Sequence, residues 1–147
     1  MSNEHTVKSY EEELRYLIDS VIKMGSLTES QLVDSMDAVI KVDKDSIDKI
    51  IKSDDEINKF RSKIDTQIMT LLVKRAPMAI DLRETISSLK ISQDLERIGD
   101  LSKSNAKKVK PLPLDLPEEL LGNLKRLGDL VIKQLNDVLD SYVNKNY

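Results

Sequence analysis

The chain contains no cysteine and no tryptophan, a single histidine and a single phenylalanine, and only four glycines and four prolines. Without cysteine there is neither a disulfide framework nor a thiolate for metal binding or nucleophilic attack, a pattern that fits the cytoplasm without requiring it. With His5 alone, histidine-based triads are excluded, and so are the Glu-x-x-His pairs of di-iron carboxylate bundles. No G-x-x-x-x-G-K-[ST] stretch is present, which removes nucleotide hydrolysis of that type. The scarcity of glycine and proline argues against a sandwich or barrel, which needs turn residues every few positions. No apolar run approaches the roughly 18 residues of a membrane span. The opening MSNEHTVKSYEEELRYLIDS lacks the basic start and short apolar block of a signal peptide. A net charge of −3 and a pI near 5.3 give no pointer to nucleic acid. None of the usual catalytic constellations is left, so the chain reads as a binding protein and not an enzyme.

What is there is aliphatic periodicity in a chain that is 33% charged. From about 8 to 41, Leu14, Leu17, Val21, Met24, Thr28, Leu32, Ser35 and Val39 recur at three- and four-residue steps, the seam of a core-facing helix. Gly25 and Thr28 narrow its middle, where either another backbone comes close or the helix is merely weakened. A second segment, about 44 to 76, repeats through Ile47, Ile50, Asp54, Ile57, Arg61, Ile64, Ile68 and Leu71, with Asp43 placed as its N-cap. The sequence RAP, ending at Pro77, stops it. A third segment, about 78 to 109, begins on Leu82, Ile86 and Leu89 and turns polar at Gln93, Glu96 and Asp100. After KPLPLDLP a fourth, about 118 to 145, carries Leu121, Leu124, Leu127, Val131, Leu135 and Val138. The expected fold is all-α: a long antiparallel three-helix bundle over 1–110, a Pro-rich linker at 111–117, and a fourth long helix over 118–147. That helix has no neighbours of its own in the sequence, so its apolar face is expected to bury itself on another copy or on the first three helices.

Charge stands in unexpected places. Asp54, Asn58, Arg61 and Asp65 form a polar stripe along the second segment, and Glu96 and Asp100 stack four apart on the third. Like charges at that spacing cost a helix a few tenths of a kcal/mol. Two readings stay open. Asp54, Asp65, Glu96 and Asp100 face one another across two helices as an oxygen-only site for a hard cation, or they are solvated faces with Arg61, Lys63 and Arg97 as ordinary ion-pair partners. The lysines at 103, 107, 108 and 110 either touch an anionic surface or simply complement a helix end.

Residues 71–109, LLVKRAPMAIDLRETISSLKISQDLERIGDLSKSNAKKV, resemble the first repeat of PhoU, the phosphate-uptake regulator family. Its K/R-Q-P-x-A-x-D-L-R run is similar to Lys74, Arg75, Pro77, Asp81, Leu82 and Arg83 here. Its L-E-R-I-G-D run is matched from Leu95 to Asp100, and the following N-I-A is matched in part at Asn105. Upstream, DDEINKFRSKID is similar to the family's D-x-x-I-N-x-L-E-x-x-I-D through Asp54, Ile57, Asn58, Ile64 and Asp65. The resemblance spans about 10 to 145.

The resemblance implies two tandem three-helix repeats, of which residues 118–147 open the second, so that the chain is expected to be a fragment or a short member. It further implies a cytoplasmic, frequently dimeric regulator acting between a phosphate ABC transporter ATPase and a sensor histidine kinase, with contact to the membrane only through those partners. On the matching positions, Arg97, Asp81 and Arg83 are expected to meet a partner. No cofactor is obligatory, and iron or zinc is left open, because several members hold such clusters on E/D-x-x-x-D motifs; Asp65, Glu96 and Asp100, with Asp54, are the matching ligands. Arg61 stands where the family often has Glu. A guanidinium there repels a cation or replaces it by pairing with Asp65 and Glu96.

Overall fold

The computed structural model describes the backbone of residues 2–75 and 79–144, and the side chains of 10–74 and 82–144. Four helices follow one another: α1 (Ser2–Lys41), α2 (Ile47–Arg75), α3 (Ala79–Lys108) and α4 (Glu118–Asn144), with no strand among the described residues. The backbone of His5 lies within α1, and the break at Pro77 lies outside the described residues.

The turn from α1 to α2 is written in three side chains. Val42 adopts a left-handed φ of 49°, and Asp43 N–H returns to Ala38 O at 2.9 Å, closing the last turn of α1. A β-branched residue is strained there. The Val42 side chain is buried in the cluster of Ala38, Ile47, Ile50, Ala106 and Val109, which offsets the strain. Asp43 then acts as the N-cap: its Oδ1 accepts the backbone N–H groups of Asp45 and Ser46. The Ser46 hydroxyl above all, and the Asp45 N–H after it, hold the Asp43 carboxyl below its ordinary pKa.

Burial follows the seams of α1 and α2. Leu14, Leu17, Val21, Met24, Leu32, Ile47, Ile50, Ile57, Ile64, Ile68 and Leu71 are all buried. On α3 the buried face differs from the sequence expectation by about one position. Leu82 is 40% exposed and Gln93 and Asp100 face outward, while Thr85, Ser88, Ser92, Leu95, Gly99, Ser102 and Ala106 face in. Small residues carry little hydropathy, so this face is nearly silent in a periodicity search. Their size nevertheless lets α3 lie close against α1 and α2. The serine hydroxyls are satisfied within the helix, Ser102 donating to Ile98 O and Ser88 to Glu84 O. The segment 111–117 is anchored, not loose: Leu112 and Leu116 pack under the bundle end, and Leu114 points away.

α4 packs antiparallel along α1. A Cβ placed on Gly25 would lie 2.5 Å from Leu139 Cδ2, and one on Gly128 would lie 2.6 Å from Met36 Cε. These contacts exchange roles under a local two-fold, because 24–37 (MGSLTESQLVDSMD) lines up without gaps with 127–140 (LGDLVIKQLNDVLD), placing Gly25 against Gly128 and Met36 against Leu139. Sequence periodicity missed this internal likeness, since only six of the paired residues are identical. Leu135 and Tyr142 are buried, and the Tyr142 hydroxyl reaches α3, 3.0 Å from Ser88 Oγ. Leu120, Leu127, Val131 and Val138 are 45, 59, 41 and 60% exposed. The apolar face of α4 is therefore only half covered. Gly128→Leu is expected to push α4 off Met36 at a cost of about 2 kcal/mol. Amide exchange along α4 should then quicken while the core amides of α1–α3 keep their protection.

Candidate functional site

The four carboxylates proposed from sequence do not converge on one point. They separate into two pairs, each bridged by a cation. Asp54 on α2 and Asp100 on α3 share Lys103, whose Nζ donates to Asp54 Oδ2 and, at 3.0 Å, to Asp100 Oδ1. Asp65 on α2 and Glu96 on α3 share Arg61, whose Nη1 donates to Asp65 Oδ1 while Nε lies 3.2 Å from Glu96 Oε2. The two stacked acids of α3 thus each face a basic group, Glu96 across to Arg61 on α2 and Asp100 to Lys103 one turn along α3, which offsets their mutual repulsion.

Asp54 is the deepest of the four, at 1% exposure. Burying a carboxylate is costly unless it is paired and hydrogen-bonded. Here it receives Lys103, Gln31 Nε2 at 3.1 Å and Asn58 Nδ2 at 3.3 Å. Gln31 belongs to α1 and also donates to Gly99 O on α3 at 2.8 Å. One amide group therefore ties all three helices together. Facing two acceptors, it must present its nitrogen. Gly99 makes this reachable: a Cβ there would lie 3.1 Å from Ile57 Cδ1 and 3.3 Å from Asp54 Oδ1. The hub lies between the main apolar cluster, containing Leu32, Ile57 and Leu95, and the smaller one around Ala38, Ile50 and Ala106. Gln31 Oε1 is buried there without a hydrogen-bond partner, and the bonds its nitrogen donates at that height favour one axial register of the three helices over a slide by a turn.

Asp54 raises the Lys103 pKa above its ordinary value, and Asp100 adds to the effect. The stabilisation from this pairing is complete below the unfolded value near 10.5 and disappears as the pH climbs through the raised one. At neutral pH the lysine is a fixed positive charge.

Of the residues expected to meet a partner, Arg97 and Arg83 are exposed on α3, whereas the Asp81 side chain lies outside the described residues. Gln93, Asp94, Arg97 and Asp100 all lie on the outer side of the segment whose Leu95 and Gly99 are buried. Lys63 does not pair the acids; its Nζ sits 4.7 Å from the centre of the Tyr16 ring. Lys107, Lys108 and Lys110 are exposed at the end of α3, apart from Lys103, which is drawn into the hub. Sequence reasoning missed Gln31 and Gly99. The available signal was an amide on an apolar seam and a glycine inside a helix with no turn to make.

Each pair of acids already holds a base between its members. Hard cations take six or more oxygens, several of them carboxylate, and among the described residues no group of three or more His, Asp or Glu side chains is placed to hold one. The arrangement does fit a rigid polar clamp between α2 and α3 with an exposed, charged outer strip.

The PhoU domain family model matches residues 21–109. The phosphate-specific transport system accessory protein PhoU homolog of Caulobacter vibrioides (strain NA1000 / CB15N) is 38% identical over 144 residues, which is 97% of this chain and 63% of the relative. The crystal structure of the phosphate transport system regulatory protein PhoU from Streptococcus pneumoniae superposes with a TM-score of 0.81 at 32% identity, covering 90% of this chain and 62% of that one. PhoU from Pseudomonas aeruginosa superposes with a TM-score of 0.83 at 28% identity, over 93% of this chain and 66% of that one. The chain thus spans a little under two thirds of the length of these relatives.

Proposed function

Because this chain belongs to the PhoU family, we propose that it is a helical adaptor in the control of phosphate transport, working by binding and not by bond chemistry. Its partners in this reading are a phosphate ABC transporter ATPase and a sensor histidine kinase in the cytoplasm, and its effect is to restrain phosphate uptake and the phosphate-starvation response. The observation that carries the proposal is the split personality of residues 95–100. Leu95 and Gly99 are locked into the bundle, Glu96 and Asp100 are braced by Arg61 and Lys103, and Arg97 is left exposed on the surface between them. Such a strip meets a partner with little further loss of conformational freedom, which favours affinity. Phosphate status then only has to change which complex is favoured, and a few kcal/mol of differential affinity suffices.

We further propose that α4 opens a second unit of the α1–α3 kind. Its exposed Leu120, Leu127, Val131, Gln134 and Val138 stand in the places that Leu17, Met24, Thr28, Gln31 and Ser35 hold on α1, where they face α2 and α3. The likeness of 24–37 to 127–140 supports this division of the chain at 111–117.

Arg97→Ala is expected to weaken capture of the transporter ATPase or the kinase about tenfold, the scale of an exposed arginine at a hot spot. Helicity and the urea midpoint should stay unchanged, because the residue is exposed. Arg83→Ala gives the same reading for the earlier turn of α3. Undiminished pull-down of both partners by both variants would refute the assignment of this face.

A further inference from the structure

We propose that Arg61 is a resident cation: its guanidinium occupies the place between Asp65 and Glu96 where an ion would have to sit, and so closes this acidic face to metal. The geometry has three parts. First, one guanidinium stands against two carboxylates on different helices: Nη1 donates to Asp65 on α2, and Nε lies 3.2 Å from Glu96 Oε2 on α3, an ion-pair contact without a hydrogen bond. Second, the Arg61 side chain is only 13% exposed, against 45 and 39% for its two acids. The guanidinium is therefore the inner member of the cluster and the acids its outer rim. An incoming cation would meet a fixed positive charge at the depth where it needs ligands, and an arginine does not deprotonate to make way. Third, the neighbouring pair repeats the arrangement with Lys103 between Asp54 and Asp100, whose pKa is moved further from neutrality. Neither pair of acids offers an uncompensated carboxylate pair to an ion.

The consequence is functional. The clamp between α2 and α3 is complete as synthesised, so the shape of the bundle does not follow the supply of metal. A cation-dependent member of the same fold would couple its rigidity to metal; this chain has uncoupled it through one residue. Arg61 lies one helical turn from Asp65, on the same face, so a carboxylate at this position would add a third oxygen ligand group beside Asp65 and Glu96.

The test uses the full chain, stripped with chelator and then titrated with Mn²⁺ and Zn²⁺, reading thermal unfolding and the metal retained after gel filtration. The unsubstituted chain is expected to show no metal-dependent change in Tm and to retain less than one ion per chain. Arg61→Glu should unfold at lower temperature in chelator. With metal at a hundredfold excess over its Kd, its Tm should rise by roughly 5 °C or more, with about one ion retained. Asp65→Asn in the same background should abolish that rise. Arg61→Gln should lose stability without acquiring a metal response. If Arg61→Glu does not fold in chelator, recovery of its helical circular dichroism on adding either ion is the same positive result. Stoichiometric metal on the unsubstituted chain, lost on Asp65→Asn or Glu96→Gln, overturns the proposal. So does an Arg61→Glu chain that folds and ignores both ions.

Discussion

Asp54→Ala is expected to lower the unfolding free energy by about 3 kcal/mol in urea titration, with the m-value unchanged. Breaking a buried ion pair by removing one member typically costs 3–5 kcal/mol, because the other charge is left without its partner. The lower end applies here. Lys103 keeps Asp100 and has a side chain 25% exposed, so it can turn toward water. Gln31 keeps Gly99 O. What cannot be recovered is the anchor that joins α1, Lys103 and Asn58 at one buried point. Asp37→Ala is the internal comparison. Asp37 is also paired with a lysine, Lys41, but both side chains are more than half exposed, and its removal should cost no more than about 0.5 kcal/mol. If the two substitutions cost the same, the hub at Asp54 is not what holds the helices in register.

Gly99→Leu is the second large effect, again about 3 kcal/mol. Even a Cβ at this position would stand 3.1 Å from Ile57 Cδ1 and 3.3 Å from Asp54 Oδ1. The Ile57 methyl end can rotate away, but the Asp54 carboxylate is held by Lys103, Gln31 and Asn58. A larger side chain must therefore drive α3 from α2, which lengthens the bond from Gln31 to Gly99 O and strands a buried carbonyl. Gly99→Ala separates this steric argument from backbone flexibility. The methyl gains about 1 kcal/mol of helix propensity and loses a comparable amount to the tight contact, so its net effect should lie within about 1 kcal/mol of zero. The expected result is thus a steep step between alanine and leucine at one position, measured by urea midpoint. A leucine variant as stable as the alanine one would mean that the two helices do not need to approach this closely.

The two substitutions act on one object from opposite sides, and their effects should not add. Once Asp54 is gone, Gly99→Leu has less to displace, so the double variant should fall short of the sum by about 1 kcal/mol or more.

The sequence by itself determined the elements. Aliphatic spacing placed α1 and α2 and their buried seams, because large apolar side chains announce the face they bury. Asp43 announced a cap, and the proline-rich stretch announced the break before α4. It also determined the chemistry that was open: with no cysteine and one histidine, only oxygen ligands and charge pairing remained. The candidate site was legible as a set of residue types, four acids with Arg61 standing among them.

Only the tertiary structure decided how those charges are shared. Which acid faces which base depends on the height of one helix against another, and a single chain's periodicity carries no information about that height. Hence Asp54 and Asp100 went to Lys103, a pairing the sequence did not offer, while Asp65 and Glu96 went to Arg61, one of the two outcomes the sequence left open. The inner face of α3 was hidden for a related reason. Serine, glycine and alanine are buried there because they are small enough for two other helices to approach, a property of the neighbours more than of the residues themselves. Gln31 is the clearest case: on its own helix it is an amide among aliphatics, and it becomes the joint of the bundle only when Asp54 and the carbonyl of Gly99 arrive from two other helices.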